Sequence, residues 1–420
     1  MKFLFIHRNF PAQFLNLVSY LSQNSENEIY FITTREENNI ENVNKIIYQV
    51  KAKTDSNTHG FLKEYEVWIQ HGQAVAECAL NLKKQGFVPD IIYAHNWGGE
   101  LFMKEVYPEV PYLSYLEWYS NAYGSDHAFN KNKPLSFNNL CELRIKNSPK
   151  LVDLIACDHG ITPTNWQLKQ YPEIFHQKIS VIHDGVCTNF FHPDPEVKLV
   201  IPEINLDLSR AKEIVTYATT GMEPYRGFPQ FMEAASIIQK RRPDCHIVIG
   251  GHDGSFYSGV RPDGKSYKEY MLENLSLDLS KIHFTGFLSY NNYLKVLQSS
   301  HAHIYLTYPY VLSWSLLESM STGCLVISSD TEPVREVITD EENGLLVDFF
   351  SPQQIADRVD EVFSQPERMK IIKENARKTV QENYNIQNLL SEQLDLITRM
   401  ARKEKIEPKR TCRETVYNNE

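Results

Sequence analysis

The stretch 309–328, PYVLSWSLLESMSTGCLVIS, decides how this chain is read. A polar approach leads into a short helical pattern that carries one acid, Glu318. Gly323 ends the helix, and the apolar run CLVIS follows at once as a buried strand. A helix N-terminus beside a strand end offers unpaired amides, and such amides suit phosphate oxygens. An acid about a turn and a half inside that helix suits sugar hydroxyls. Its neighbours Leu316, Leu317 and Met320 are core-type residues, so the helix is expected to be largely buried and Glu318 to need a partner. The competing reading is an ordinary exposed helix acid. With the amides of Ser313, Trp314 and Ser315, Glu318 suits a nucleotide diphosphate, phosphates on the amides and ribose on the acid.

The surrounding chain alternates strand and helix on both sides of this stretch. Toward the N-terminus, KFLFI (2–6), IYFIT (29–33), IIYA (91–94), YLSYL (112–116), DLIAC (153–157) and ISVI (179–182) read as short buried strands. A long helical pattern spans 61–85, with Tyr65, Trp68, Ile69, Val75, Ala79 and Leu82 on one face and Gly86 at its end. Residues 188–212 break the rhythm with His192, Pro193, Pro195 and Pro202, and are read as an interdomain linker. Alternation restarts with strands at 213–218, 245–250, 282–286, 302–307, 324–328 and 344–347. Helices at 352–364, 367–383 and 386–402 close the chain.

This pattern predicts an α/β protein of two tandem, doubly wound, Rossmann-like domains facing a cleft. The first spans 1–190 and the second 208–385, with the last helix, 386–402, returning to the first. The charged segment 403–420 lacks an apolar face and is read as a disordered tail. A length of 420 residues agrees with two domains rather than one core.

Composition narrows the function. The chain is 42% hydrophobic and 23% charged, with a net charge of −10, as expected of a soluble globular protein. No basic face suggests nucleic acid. The seven cysteines are dispersed without a C-x-x-C pair, which predicts reduced thiols in the cytoplasm. His7 and Arg8 interrupt the apolar N-terminal run, so it reads as a strand and not a signal peptide. Metal-bridged phosphate chemistry is not suggested, because there is no D-x-D triad, and H-E-x-x-H and G-x-S-x-G are also absent.

Ligands in parallel sheets bind beyond the carboxyl ends of strands, so the loops there are the candidates. Loop 219–228, TTGMEPYRGF, carries Gly221, Gly227 and Arg226. A guanidinium there can offset charge on a phosphate leaving group; a surface arginine beside a glycine turn explains the pattern about equally well. Loop 250–259, GGHDGSFYSG, contains Gly251 and would bring backbone amides to a ligand, although a flexible loop reads the same way. Phe287, just beyond the strand 282–286, is grouped with the donor-side residues. In the front half, AHNWGGE (94–100) places His95 and Trp97 after a strand, and EWYSNAYGSDHAF (117–129) does the same for Glu117, Trp118, Tyr119 and Tyr123. Glu117 can act on an acceptor hydroxyl, and the aromatic rings can stack on a sugar. A satisfied histidine and aromatic core packing are the alternatives. Loop 7–13, HRNFPAQ, adds Asn9 before a helix N-terminus.

With these residues in view, the chain resembles the retaining glycosyltransferases of family 4, which have the GT-B fold. LLESMSTGCLVISSDTEPVREVITDEENGLLV (316–347) resembles the family's donor-binding core. VIHDGVCTNFFHPDP (181–195) resembles the end of its front domain, and GMEPYRGF its phosphate loop. FIHRNFPAQF and AHNWGGELF are similar to a bacterial subgroup. The resemblance implies that Glu318 holds the donor ribose, that the helix N-terminus and Arg226 hold the diphosphate, and that anomeric configuration is retained. It implies a nucleotide diphosphate sugar as donor substrate, with UDP and GDP as candidates, and no metal or other cofactor. The acceptor would be a glycan, a lipid-linked glycan or a small molecule, with His95 and Glu117 on the catalytic side.

Three positions depart from the family pattern. Tyr310 stands where a second glutamate is usual, eight places before Glu318. Thr219, Thr220 and Gly221 occupy the region of a second basic residue, and Glu117 that of a histidine. A non-catalytic nucleotide-sugar binder and a sugar-nucleotide epimerase therefore stay open beside the transferase, while a nicotinamide enzyme is disfavoured by the missing glycine fingerprint. The expected location is cytoplasmic, with peripheral contact at the inner membrane face compatible, and the oligomeric state is not read.

Overall fold

The computed structural model describes residues 1–50 and 57–410 of the chain. Cys412 and the rest of 411–420 lie outside them. The chain divides into two compact units, residues 1–184 with the stretch from 387 onward, and residues 185–386. Each unit is built on one parallel sheet, as the alternation predicts.

The first unit has seven strands: β1 (Lys2–Ile6), β2 (Glu28–Thr33), β3 (Val43–Ile47), β4 (Ile91–His95), β5 (Tyr112–Tyr115), β6 (His159–Thr162) and β7 (Ile179–Val181). Their order is β3-β2-β1-β4-β5-β6-β7. Side chains of β1 alternate between two cores. Phe3 and Phe5 join Phe14, Phe31 and Tyr93 on one face, while Leu4 and Ile6 join Ile32, Val75, Ala79 and Leu82 on the other. Burial on both faces is why these strands read as continuous apolar runs. The helix Lys63–Lys84 covers the second core. The last helix, Ile386–Ala401, covers the first core with Leu389, Leu396, Ile397 and Met400.

Four readings of the sequence change. Strand β3 was not foreseen; its Asn44 and Lys45 interrupt the apolar run, as befits a sheet edge. Residues 153–157, read as a strand, lie in and just after the helix Ser148–Ala156, which has a proline in its first turn, and the strand lies at 159–162. A short apolar run does not by itself distinguish a buried strand from a buried helix face. The proposed linker 188–212 is part of the second unit. There β8 (Val200–Ile201) pairs antiparallel with β9 (Leu206–Asp207), and Leu199, Ile201, Leu206 and Leu208 pack on Ile214 and Val248. Finally, residues 403–410 are not a free tail: the amide of Val181 donates to the carbonyl of Lys409, at 2.9 Å, beside the edge strand β7.

The second unit's main sheet contains β10 (Ile214–Gly221), β11 (His246–His252), β12 (Ile282–Gly286), β13 (Ala302–Tyr305), β14 (Val326–Ser329) and β15 (Leu345–Val347). The order is β12-β11-β10-β13-β14-β15, parallel throughout. In each unit the order reverses once, between β1 and β4 in the first and between β10 and β13 in the second. No helix among the described residues is long and apolar enough to cross a membrane.

Leu396 is only 1% exposed, so Leu396→Ala is expected to cost roughly 2–5 kcal/mol. Urea unfolding followed by tryptophan fluorescence would show an unfolding free energy lowered by that amount if the returning helix belongs to the first unit's core.

Candidate active site

The second unit holds a cavity of about 260 Å³ at the carboxyl ends of its central strands. Ala218, Thr219 and Thr220 enter it from β10, Gly251 from β11, and Gly286 with Phe287 from the end of β12. Arg226, Ser313, Trp314, Ser315 and Glu318 complete the group. Sequence reasoning thus placed most of its donor-side residues around one space.

Arg226 is positioned by several contacts. One terminal nitrogen donates to Thr307 Oγ1 at 2.8 Å and to the carbonyl of Val311 at 3.3 Å. The Tyr217 hydroxyl donates to the Arg226 carbonyl at 2.6 Å. Gly227 follows at φ +67°, and a Cβ there would lie 2.4 Å from Leu306 Cβ. Only glycine permits both the turn and the approach.

The helix Trp314–Thr322 begins beside β13, with Ser313 as its N-cap. One expected phosphate donor is already engaged: the Ser313 amide donates to the Tyr305 hydroxyl at 2.9 Å. The Ser315 amide meets Ser313 Oγ at a long 3.4 Å. The anchor from Tyr305 was not visible in the sequence, because it joins the strand to its own following loop only once both are folded.

Glu318 is 7% exposed, so the buried-helix reading holds and the exposed-acid alternative does not. Burial pushes its carboxyl up to about 7. The Tyr293 phenol beside it pulls the other way, its hydroxyl lying outside hydrogen-bond geometry. Tyr293 and Tyr290 line the cavity with Glu318. Both come from the helix Tyr290–Gln298, three residues apart on one face. That spacing was a legible signal that the sequence reading did not use.

Glu223 is the other residue it missed. Its side chain is fully buried. One carboxylate oxygen accepts from the amides of Tyr257 (2.8 Å) and Ser258 (2.7 Å) and from Ser255 Oγ (3.0 Å), and the other accepts from the Phe256 amide at 3.1 Å. Four donors stand in for a counter-ion, and they fasten the glycine-rich loop to the Arg226 loop. Gly251 sits at φ +130°, with its α-carbon side against the Thr219 carbonyl.

Tyr310 and Gly221 do not line the cavity. Gly221 packs on Phe256 and the carbonyl of Gly254. Tyr310 joins a group of tyrosine rings, 5.7 Å from Tyr225 and 5.5 Å from Tyr257, and the Arg226 guanidinium lies 5.6 Å from the Tyr257 ring centre. Phe287 lines the cavity and stacks on His252 at 4.9 Å.

In the first unit the structure gathers part of the acceptor-side set. The rings of His7 and His95 lie 4.4 Å apart, and Trp97 is 5.2 Å from the first and 4.5 Å from the second. His95 Nε2 is 3.8 Å from Glu117 Oε2, and Gln13 donates to Glu117 Oε1 at 3.2 Å. Burial, aided by the charge of Asp184, pushes the Glu117 carboxyl up to about 7. Burial holds His95 well below the usual histidine range, helped by His7 and Arg8. The satisfied-histidine reading fails, since neither ring nitrogen of His95 has a hydrogen-bond partner. Asn9 donates its amide to His7 Nδ1 at 2.8 Å. Trp118 does not join this group: it is 5% exposed and packs near Trp166. Tyr123 is 67% exposed.

Comparison with known proteins agrees with this geometry. Residues 25–191 match the glycosyl transferase family 4 group, and residues 207–379 match the glycosyl transferases group 1. The chain belongs to the family 4, group 1 glycosyltransferases, with the GT-B fold of two Rossmann-like domains. It is 24% identical over 226 residues to an uncharacterized glycosyltransferase of Methanocaldococcus jannaschii, covering 51% of this chain and 57% of that one. It is 26% identical over 161 residues to alpha-D-kanosaminyltransferase of Streptomyces kanamyceticus, covering 38% and 39%. The matches to curated relatives span between 31% and 57% of those proteins' lengths. Among solved structures, Anabaena HepE in complex with UDP-glucose superposes with a TM-score of 0.67 at 14% identity, covering 95% of this chain and 99% of that one.

Replacing Glu223 by Gln keeps the size but removes the charge and places an NH2 against backbone donors. Faster amide hydrogen exchange at residues 255–258, with little change elsewhere, is the expected result; unchanged exchange there would remove Glu223 from its bracing role.

Proposed function

We propose that this protein transfers a sugar from a nucleotide diphosphate sugar to an acceptor hydroxyl, with retention of anomeric configuration. The observation that carries the reading is a single cavity lined by a guanidinium, a helix N-terminus and a buried carboxylate at the reversal of a parallel sheet. Family membership supports transfer, and retention rests on it.

In the proposed reaction the bond from the anomeric carbon to the diphosphate oxygen breaks, and a bond from that carbon to the acceptor oxygen forms. The acceptor proton leaves with the diphosphate or to solvent. Arg226 offsets the charge that grows on the leaving diphosphate, with the first turn of the helix Trp314–Thr322 beside it. No metal is needed in this scheme. Glu318 accepts from the ribose hydroxyls, and Tyr293 stands beside it. Asn9, Trp97, His95 and Glu117 serve the acceptor, a glycan, a lipid-linked glycan or a small molecule. We place this chemistry in the cytoplasm.

A protein that binds a nucleotide sugar without transferring it is the second reading. Tyr310 favours it, because an aromatic group that packs on Tyr225 and acts on Arg226 through its field occupies the place of an acid. Release of UDP from UDP-glucose by the purified protein, with or without an acceptor, separates the two.

Arg226→Ala should lower turnover by about 10²–10³-fold, the scale of losing one stabilising donor to a leaving group, while circular dichroism stays unchanged. Near-normal turnover would remove Arg226 from the reaction.

Glu318 gives a test that needs no acceptor. Its folded carboxyl sits near 7 because burial opposes charge. Hydrogen bonds from ribose hydroxyls favour the ionised form and lower that value. UDP binding at pH 7 should therefore release a fraction of a proton. Calorimetry in two buffers of different ionisation enthalpy reads this directly. In Glu318→Gln the release should vanish and binding weaken by roughly tenfold.

A further inference from the structure

The reversal between β1 and β4 in the first unit carries more hydrogen-bond donors than the protein itself uses. Arg8 follows β1 directly. Its carbonyl accepts from the Thr34 amide (3.1 Å), Thr33 Oγ1 (3.0 Å) and Thr34 Oγ1 (2.7 Å), so its backbone is fixed. Its guanidinium is not comparably engaged: Nε and one terminal nitrogen, Nη2, are buried with no hydrogen-bond partner. A guanidinium stays charged in proteins.

No neighbour hydrogen-bonds those two nitrogens. Glu100 is 1% exposed; one oxygen accepts the Gly98 amide at 3.0 Å, and the other has no partner. Burial, with Asp153 close by, raises its carboxyl well above the usual range. The Tyr48 hydroxyl is occupied with His71 Nδ1 at 2.9 Å. Glu64 acts on Arg8 only through its field.

His7 adds a neutral donor. Its Nδ1 accepts the Asn9 amide, which leaves the proton of the neutral ring on Nε2. That nitrogen is buried and meets no partner in hydrogen-bond geometry, and the Gln13 side chain beside the ring favours its charged form. Burial lowers the ring to about 3, so it does not become a second cation. His95, 4.4 Å away, supplies one further N–H from a ring whose two nitrogens are both unpartnered. Buried donors without acceptors are costly and rare in native proteins. These groups stand at the carboxyl ends of β1 and β4, where parallel sheets bind ligands. Donors outnumber acceptors, and one donor group is cationic, which matches an oxyanion better than a neutral polyol.

We infer that the first unit binds a phosphate or carboxylate group of the acceptor, with Arg8 as the charged contact and His7 Nε2–H as a neutral one. The acceptor class is then an anionic sugar, a sugar phosphate or a uronic acid. Calling this group part of an acceptor rests on the transfer reading above; the oxyanion site does not.

Calorimetry on the full chain tests it with glucose 6-phosphate, glucuronate and glucose as probes. The titrations are run on the wild type saturated with UDP, and on Arg226→Gln without UDP, so that phosphate binding in the second unit does not obscure the result. At least one anionic probe should bind about tenfold more tightly than glucose, and the stronger of the two tells phosphate from carboxylate. Arg8→Gln should abolish the preference and leave UDP affinity unchanged. Arg8→Lys, which keeps the charge without the fork, should fall between, and it decides the matter if Arg8→Gln does not fold. Equal binding of all three probes, no binding of either anionic probe at millimolar concentration, or wild-type preference in the Arg8 variants would overturn the inference. Failure of UDP to bind would count against the donor reading alone, because the Arg226→Gln titration would still report on Arg8.

Discussion

A parallel sheet whose strand order reverses once leaves its loops parted at one place. Right-handed crossovers send successive connections to opposite faces on either side of that point. The donor-side cavity and the His7–His95 pair both lie at such a point. In the second unit the reversal between β10 and β13 sets the Arg226 loop beside the start of the helix Trp314–Thr322. In the first unit the reversal between β1 and β4 sets His7 beside His95. The same topology thus sets polar side chains at both reversals, and those side chains differ in chemistry.

Those side chains are held by buried polar groups more than by apolar packing. Glu223 gathers three amides and a hydroxyl, Tyr305 fixes the start of the Glu318 helix, and Tyr217 fixes the carbonyl of Arg226. A buried polar group is costly unless it is fully hydrogen-bonded, so each anchor admits few alternative loop conformations. Anchoring is incomplete at Tyr293, His7, His95 and Arg8, which hold buried polar atoms without a hydrogen-bond partner.

The fold was largely legible. Runs such as KFLFI and IIYA are apolar because both faces of a parallel sheet are covered, and this pattern survives in one dimension. It failed where a signal was shared or diluted. Residues 153–157 are apolar for a helix face as they would be for a strand, and β3 is diluted by Asn44 and Lys45 at the sheet edge. The stretch 188–212 looked like a linker because its prolines and charges hide a small antiparallel pair. On the donor side, Arg226, Gly251, Phe287, Ser313, Trp314, Ser315 and Glu318 line one cavity, because the loops and the helix start that carry them follow strand ends. Glu223 was not named, since nothing local distinguishes a bracing acid, and the three-residue spacing of Tyr290 and Tyr293 on one helix was legible but unused.

The sequence by itself determined the two sheets, the loops that end them, and the helix that carries Glu318, because periodicity and glycine placement are local properties. Only the tertiary structure decided which polar groups are satisfied. It showed that Trp118 is core, that Tyr310 packs among tyrosines beside Arg226, and that the Ser313 amide is already taken. It also showed that Arg8 and His7 hold buried donors without acceptors. The physical reason is that hydrogen-bond satisfaction and desolvation depend on residues brought together from distant parts of the chain, and no spacing rule in the sequence records that meeting.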